Sequence, residues 1–223
     1  MRPKYPPLGL ACLSMTLVAL AAPICRADGP VLSSSKGPAT QPSGEIAGRV
    51  TAPANVPMSE MVVYLESPDP TRMINTPTEA AAISQRGATF SPALLIICVG
   101  QKVDFLNDEI QQIEHNVFSN APAKRFDLGL YKPGESRQVI FDKPGPVFLY
   151  CSIHRHMDGV VFVSPTPYTS RVEADGQYRI AGVPPGDWVL KTWQRRRRFP
   201  ELSLPLTAAP GKAINIDLEL RRP

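Results

Sequence analysis

Short runs of β-branched and aromatic residues, each closed by proline or glycine, constrain this chain more than any other feature of its sequence. The 223 residues include 25 prolines and 15 glycines, and turn-forming pairs such as Pro133-Gly134, Pro144-Gly145 and Pro185-Gly186 separate the runs. Runs of this length and composition are typical of β-strands. Strands are predicted at residues 45–51, 61–66, 93–99, 102–107, 115–118, 136–142, 147–151 and 159–164.

Only one segment, residues 78–85 with the sequence TEAAAISQ, has the composition of a helix, and that helix would be brief. A hydrophobic content of 43% is enough to build a buried core in a chain of this length. The expected class is therefore all-β, with one Greek-key β-sandwich or two of them.

The amino terminus has the pattern of an export signal. Arg2 and Lys4 precede an apolar run from Leu8 to Ala22, and small residues offer a cleavage point after Ala27. The alternative is an uncleaved membrane anchor. The apolar run is 15 residues long, which is short of the roughly 20 that a helix needs to span a bilayer. Residues 1–27 are therefore predicted to be a signal peptide, which implies a periplasmic or otherwise exported protein without a stable membrane span.

Removal of this leader changes the charge of the chain. The leader holds three of the 24 basic residues and none of the 20 acidic ones, so the formal net charge falls from +4 to +1. A nearly neutral chain gives no reason to expect nucleic-acid binding, which depends on a basic surface.

Residues 28–44 are rich in glycine, proline and serine, and we expect a flexible linker there.

One short stretch concentrates residues that bind soft metal ions. Cys151, His154 and Met157 are spaced three residues apart, directly after a predicted strand. Two imidazoles, one thiolate and a more distant thioether favour copper in a trigonal site. The second imidazole is predicted to come from His115, 36 residues before Cys151, on a strand that a Greek-key fold can bring alongside.

The segments HNVFS, FDKPGPVFLYCSIHRHM and GVVFV resemble the cupredoxins, the plastocyanin and amicyanin group of blue copper proteins. The resemblance covers residues 88–165, and the spacing of the cysteine, histidine and methionine is similar to that of amicyanin. It implies one type 1 copper ion bound by four ligands. These are His115, Cys151, His154 and Met157.

The resemblance also implies contacts outside the ligand set. Asn116 is expected to donate its backbone N–H toward the cysteine sulfur, and its side chain is expected to bind Ser152. The chain departs from the family at Arg155, which replaces the usual proline and removes a conformational restraint. His156 follows, and we expect it to be exposed rather than bound to the metal.

A second β region at residues 171–193 and 213–220 resembles the carboxypeptidase regulatory-like, or transthyretin-like, sandwich. The sequence predicts that residues 45–67 and 168–221 form this accessory domain, with the copper domain at 88–165 inserted between them. Alternatively, residues 45–66 supply the first strands of the copper domain. Bacterial proteins labelled as methylamine utilization proteins combine two such domains, and this chain resembles them.

The remaining candidate residues have structural interpretations. Cys98 lies within an apolar run, and a disulfide with Cys151 would consume the metal thiolate, so Cys98 is predicted to be a core residue. Trp188 and Trp193 lie in a predicted strand and are also expected in the core, with a sugar-binding platform as the alternative. The run from Arg195 to Arg198 is predicted to be a solvated loop, with docking of an acidic redox partner as the alternative.

These features predict a single-electron carrier that works with other redox proteins, a dehydrogenase or a cytochrome, whose identity stays open. With two of the three histidines committed to one site, the chain cannot build the further copper centres of an oxidase, and we expect it not to be an enzyme. The alternatives are a copper-binding or storage protein and a structural β module.

Overall fold

The computed structural model describes residues 42–53 and 56–221, which form strands and the turns and loops between them. The prediction of an all-β chain is confirmed. The predicted signal peptide and the predicted linker up to residue 41 lie outside the described residues. Gly44, the last residue assigned to the linker, is the first residue of a strand.

The strands are short and follow the proline and glycine punctuation of the sequence. They are β1 (Gly44–Thr51), β2 (Met61–Glu66), β3 (Ala81–Arg86), β4 (Thr89–Ser91), β5 (Leu94–Cys98), β6 (Lys102–Asn107), β7 (Phe118–Asn120), β8 (Arg125–Asp127), β9 (Ser136–Ile140), β10 (Gly145–Tyr150), β11 (Asp158–Ser164), β12 (Thr169–Arg171), β13 (Gln177–Val183), β14 (Gly186–Gln194), β15 (Ser203–Ala208), β16 (Ala213–Asn215) and β17 (Leu218–Glu219). One 3₁₀ turn, Met58–Glu60, precedes β2.

The helix predicted at residues 78–85 is wrong, because this segment contains most of strand β3. Strand β3 pairs in parallel with β6 and antiparallel with β4. Ile83 and Gln85 are fully buried while their neighbours are less so, which is the period of a strand. The weak helical preference of an alanine-rich segment is overridden because the segment pairs on one side with β4, its hairpin partner, and on the other with the more distant β6.

Strands β3 to β11 form two sheets that face each other, and we call this unit the central sandwich. The strand orders are β4-β3-β6-β9 and β5-β11-β10-β7-β8. Buried residues of both sheets meet in one cluster, in which Ile83, Phe105 and Val103 face Val147, Leu149 and Val161. The parallel pairs β3–β6 and β5–β11 join strands that are far apart in sequence.

The other strands form a second pair of sheets, which we call the outer sandwich. The strand orders are β13-β1-β16, with β17 also pairing with β1, and β12-β2-β14-β15. Strands β1 and β2 therefore pair with strands that follow residue 168. Trp188, Leu190, Ile46 and Leu65 lie in its core, which confirms the expected packing of Trp188.

Strand β1 comes unusually close to the connection between β16 and β17. A Cβ atom added at Gly48 would lie 1.9 Å from the carbonyl oxygen of Ile216, and the N–H of Ile216 donates to the Ala47 carbonyl at 2.8 Å. Only glycine allows this approach of two backbones.

The two sandwiches meet in a third buried group, the junction cluster, which consists of Val62, Leu94, Val160, Phe162 and Trp193. The ring of Phe162 lies 4.9 Å from that of Trp193 and 5.2 Å from that of Tyr64. All described residues belong to one compact unit, residues 40–223. Within the described part of the chain, no helix is long and apolar enough to span a membrane.

Candidate metal centre

The structure brings His115, Cys151 and His154 together at one end of the central sandwich. Ligand atoms of these three side chains all lie within 4.8 Å of one another. His115 Nδ1 is 3.7 Å from Cys151 Sγ, and the centres of the His115 and His154 rings are 5.0 Å apart. Two segments separated by 36 residues thus supply one site.

Strand pairing explains how these segments meet. Tyr150 at the end of β10 pairs with Asp158 at the start of β11, so residues 151–157 form the loop that closes this hairpin. On its other side, Tyr150 pairs with Phe118 of β7. The predicted strand at residues 115–118 contributes only its last residue to β7, and His115 instead forms an isolated bridge with Tyr131.

The site is buried at one side and open at the other. His115 is fully buried and Cys151 is 5% exposed, whereas His154 is half-buried. His154 Nδ1 is nevertheless a buried atom without a hydrogen-bond partner. Since an unpaired buried nitrogen is costly, a missing partner such as a metal ion is the natural explanation. Two imidazoles and a thiol are a donor set suited to copper, so the residues present fit that metal.

Met157, the fourth predicted ligand, lies on the inner side of the same loop. It is 1% exposed and packs in the buried cluster that contains Cys151 and Tyr131. Its N–H donates to the carbonyl of His154 at 3.0 Å, which tightens the turn. Arg155 and His156 between them are exposed, and the ring of His156 lies 6.0 Å from that of His154.

Asn116 connects the two segments directly. Its Oδ1 accepts the backbone N–H of Ser152 at 2.8 Å and the hydroxyl of Ser152 at 2.9 Å. Its Nδ2 donates to Asp127 Oδ1 at 3.2 Å. Asn116 is 4% exposed, and these bonds hold the residue after His115 against the residue after Cys151.

Glu109 is a residue of the site that the sequence reasoning missed. Its Oε1 lies 2.9 Å from His115 Nε2, and the two side chains are 8% and 0% exposed. The same oxygen accepts the N–H of Ala88 at 3.2 Å. The hydrogen bond with His115 is the main cause that lowers the pKa of the Glu109 carboxyl. No motif marks Glu109, because its position depends on how residues 108–114 fold back toward the site.

The buried side chain of Asn107 supports the backbone next to His115. Asn107 Nδ2 donates to the carbonyls of Tyr131 at 2.9 Å and Ile113 at 3.1 Å. The main chain of Tyr131 bonds in both directions to that of His115, and its hydroxyl accepts a hydrogen bond from Gln85. Burial raises the pKa of Tyr131 to about 12. These hydrogen bonds therefore fix the backbone from which the imidazole of His115 extends.

Cys98 lies apart from this site. The prediction that it is a core residue is confirmed, since Cys98 and Cys151 are both buried and unpaired by disulfides. Burial raises the pKa of the Cys98 thiol to about 11, which makes it a poor thiolate donor near neutral pH.

No protein-family model and no curated protein matches the chain. Among solved structures, a purple cupredoxin from Nitrosopumilus maritimus is 29% identical, with a TM-score of 0.34 over 38% of this chain and 99% of that one. An oxidized amicyanin variant is 20% identical, with a TM-score of 0.35 over 38% of this chain and 82% of that one.

A copper-containing nitrite reductase from Thermus scotoductus is also similar, at 22% identity and a TM-score of 0.38, over 52% of this chain and 28% of that one. All three TM-scores lie below 0.5. The function of this chain is therefore inferred from its own residues.

Proposed function

We propose that the chain is a cupredoxin-like protein that holds one type 1 copper ion and transfers single electrons between redox partners. The observation that carries this proposal is the meeting of His115, Cys151 and His154, with the buried Nδ1 of His154 unpartnered. Met157 completes the proposed ligand set as a weak fourth donor from the inner side of the loop.

When bound, copper would supply a one-electron couple between its cuprous and cupric states. The chain's own part is to keep the donors in place in both states. His115 is held by Glu109 and by its bridge to Tyr131, while Cys151 and Met157 are packed in the core. Ligands fixed by buried neighbours move little, and a small rearrangement favours fast electron exchange.

His154 is the proposed port for electrons. It is the least buried of the three close ligands, and it is preceded by Ile153, which is 50% exposed. Arg155, on its other side, is exposed and positively charged. A partner that docks here would meet the exposed Ile153 side chain and the Arg155 cation, so we propose a redox protein with an acidic group near its contact surface.

The proposed location is the periplasm or another exported compartment, and the proposed role is that of a carrier rather than an enzyme. A copper store would have no need of rapid electron exchange. Measurement of electron self-exchange in the copper-loaded protein therefore separates the two, because we expect rapid exchange from a carrier and slow exchange from a store.

The ligand set is tested by adding Cu(II) to the protein that lacks residues 1–27. We expect an intense blue thiolate-to-copper absorption band. Cys151→Ser should abolish the band, whereas the matched control Cys98→Ser should keep it, because Cys98 is a core thiol outside the site. The proposal is wrong if no such band forms, or if it persists in Cys151→Ser.

A further inference from the structure

Both ring nitrogens of His115 have a defined neighbour. Nε2 faces Glu109 Oε1 at 2.9 Å, and Nδ1 faces Cys151 Sγ at 3.7 Å. The ring is fully buried, so water does not compete for either nitrogen. A neutral imidazole carries one proton, and its position is decided by which neighbour accepts it more strongly.

The carboxylate is the stronger acceptor of the two, since sulfur accepts hydrogen bonds weakly. Glu109 is itself held in place: Oε1 also accepts the N–H of Ala88, and its own N–H donates to Asn107 Oδ1 at 3.2 Å. Asn107 in turn binds the carbonyl of Tyr131, which bridges to His115. The same buried residue, Asn107, thus helps to fix the positions of both the carboxylate and the imidazole.

We propose that Glu109 is a positioning residue: it accepts the Nε2 proton of His115 and so keeps Nδ1 unprotonated and aimed at the space beside Cys151 Sγ. This role rests on the proposed copper site, because it concerns the nitrogen that would face the metal. A carboxylate behind a metal-binding imidazole fixes the ring orientation and makes the nitrogen a stronger donor.

The first test uses metal-free protein labelled with ¹⁵N-histidine and long-range ¹H–¹⁵N correlation spectra at neutral pH. We expect His115 to carry its proton on Nε2 in the wild type. Glu109→Gln should keep that form, since the amide oxygen still accepts the proton, whereas Glu109→Ala should shift the population toward the Nδ1-protonated form.

The second test measures Zn(II) affinity by competition with a chelator, which involves neither colour nor electron transfer. Glu109→Ala should weaken binding by roughly 10-fold to 100-fold, and Glu109→Gln by a smaller factor. Glu114→Gln is the matched control: it removes a carboxylate next to His115 in the chain, but the ring nitrogens face Glu109 and Cys151. We expect it to bind Zn(II) as the wild type does.

An Nδ1-protonated His115 in the wild type would overturn the inference. So would equal Zn(II) affinity in Glu109→Ala and the wild type, or equal losses in Glu109→Gln and Glu114→Gln. Should Glu109→Ala fail to fold, the wild-type spectrum and the Glu109→Gln affinity still decide. If the tautomer is as expected but no blue band forms with Cu(II), the proposed function fails, whereas the effect of Glu109 on the position of the His115 ring proton stands.

Discussion

At the scale of single residues, the geometry of the centre depends on short polar contacts between the two ligand segments. Asn116 and Glu109 act on different sides of His115, one toward the loop after β10 and the other behind the ring. Neither would bind copper itself. Both restrict where the donors stand before a metal arrives, which reduces the cost of ordering them on binding.

Asn116 provides a prediction about this restraint. Asn116→Ala removes the acceptor shared by the N–H and the hydroxyl of Ser152, so we expect the free energy of unfolding to fall by about 1–3 kcal/mol. Zn(II) affinity should fall as well, since the loop is no longer tied to His115. Urea unfolding of the metal-free protein and chelator competition measure the two effects.

The control for this prediction is Ser152→Ala, which removes the hydroxyl bond but keeps the backbone N–H bond to Asn116. Because Ser152 is exposed, its loss should cost about 1 kcal/mol or less. Equal effects of the two substitutions would show that Asn116 does not connect the segments in the way described.

At the scale of elements, the outer sandwich depends on the close contact of β1 with its neighbours. Tyr178 of β13 pairs with Gly48, and its hydroxyl donates to the Ile216 carbonyl at 2.7 Å. The same carbonyl oxygen lies against Gly48. The tyrosine hydroxyl thus connects β13 to the segment between β16 and β17, at the point where that segment lies against β1.

Tyr178 makes the stability of this sheet sensitive to alkaline pH. Burial, with a smaller contribution from Asp217, raises the pKa of Tyr178 to about 12 from its ordinary value of 10.0. The unfolded chain loses this proton first, so the stabilising contribution is complete below pH 10 and is lost as the pH rises toward 12. Urea midpoints measured across this range should fall, and Tyr178→Phe should show a shallower fall. A decline of unchanged slope in Tyr178→Phe would assign the effect to other groups.

At the scale of the whole molecule, the junction cluster joins the two sandwiches. Trp193 of β14 is 2% exposed and packs on Phe162 of β11, the strand that follows the metal loop. Beside this apolar contact, Arg195 Nη2 bonds Asp158 Oδ2 at 2.6 Å, and the guanidinium of Arg171 donates to the Leu94 carbonyl. Arg195 therefore makes a structural contact between the sandwiches. The prediction that it is a solvated loop residue is wrong.

The buried side chains of the junction cluster predict that the two sandwiches unfold together. Trp193→Ala should cost about 3–5 kcal/mol and uncouple them, because a large buried side chain is lost. We expect hydrogen exchange to give equal opening free energies for β10–β11 and for β13–β14 in the wild type and different ones in Trp193→Ala. Trp193→Phe is the control with a smaller loss, since the indole N–H has no hydrogen-bond partner. Unequal exchange already in the wild type would contradict this prediction.

The elements that could be predicted from sequence are those whose signals are local. Strands β2 and β6 begin and end where their β-branched and aromatic residues predict. The helix predicted at residues 78–85 is wrong because helix-forming composition is a local property, whereas β3 also pairs with β6, which lies three strands further along the chain. The stability of a strand depends on its partner strands, and the sequence of the strand itself does not show which partners it will have.

The same division holds for the site. Sequence alone determined which donors are present and how they are spaced in the loop, because Cys151, His154 and Met157 lie within seven consecutive residues. Only the tertiary structure decided that His115 stands 3.7 Å from the thiol and that Glu109 backs its ring. The physical reason is that residue types are a property of the chain, whereas distances between segments are set by strand pairing and core packing.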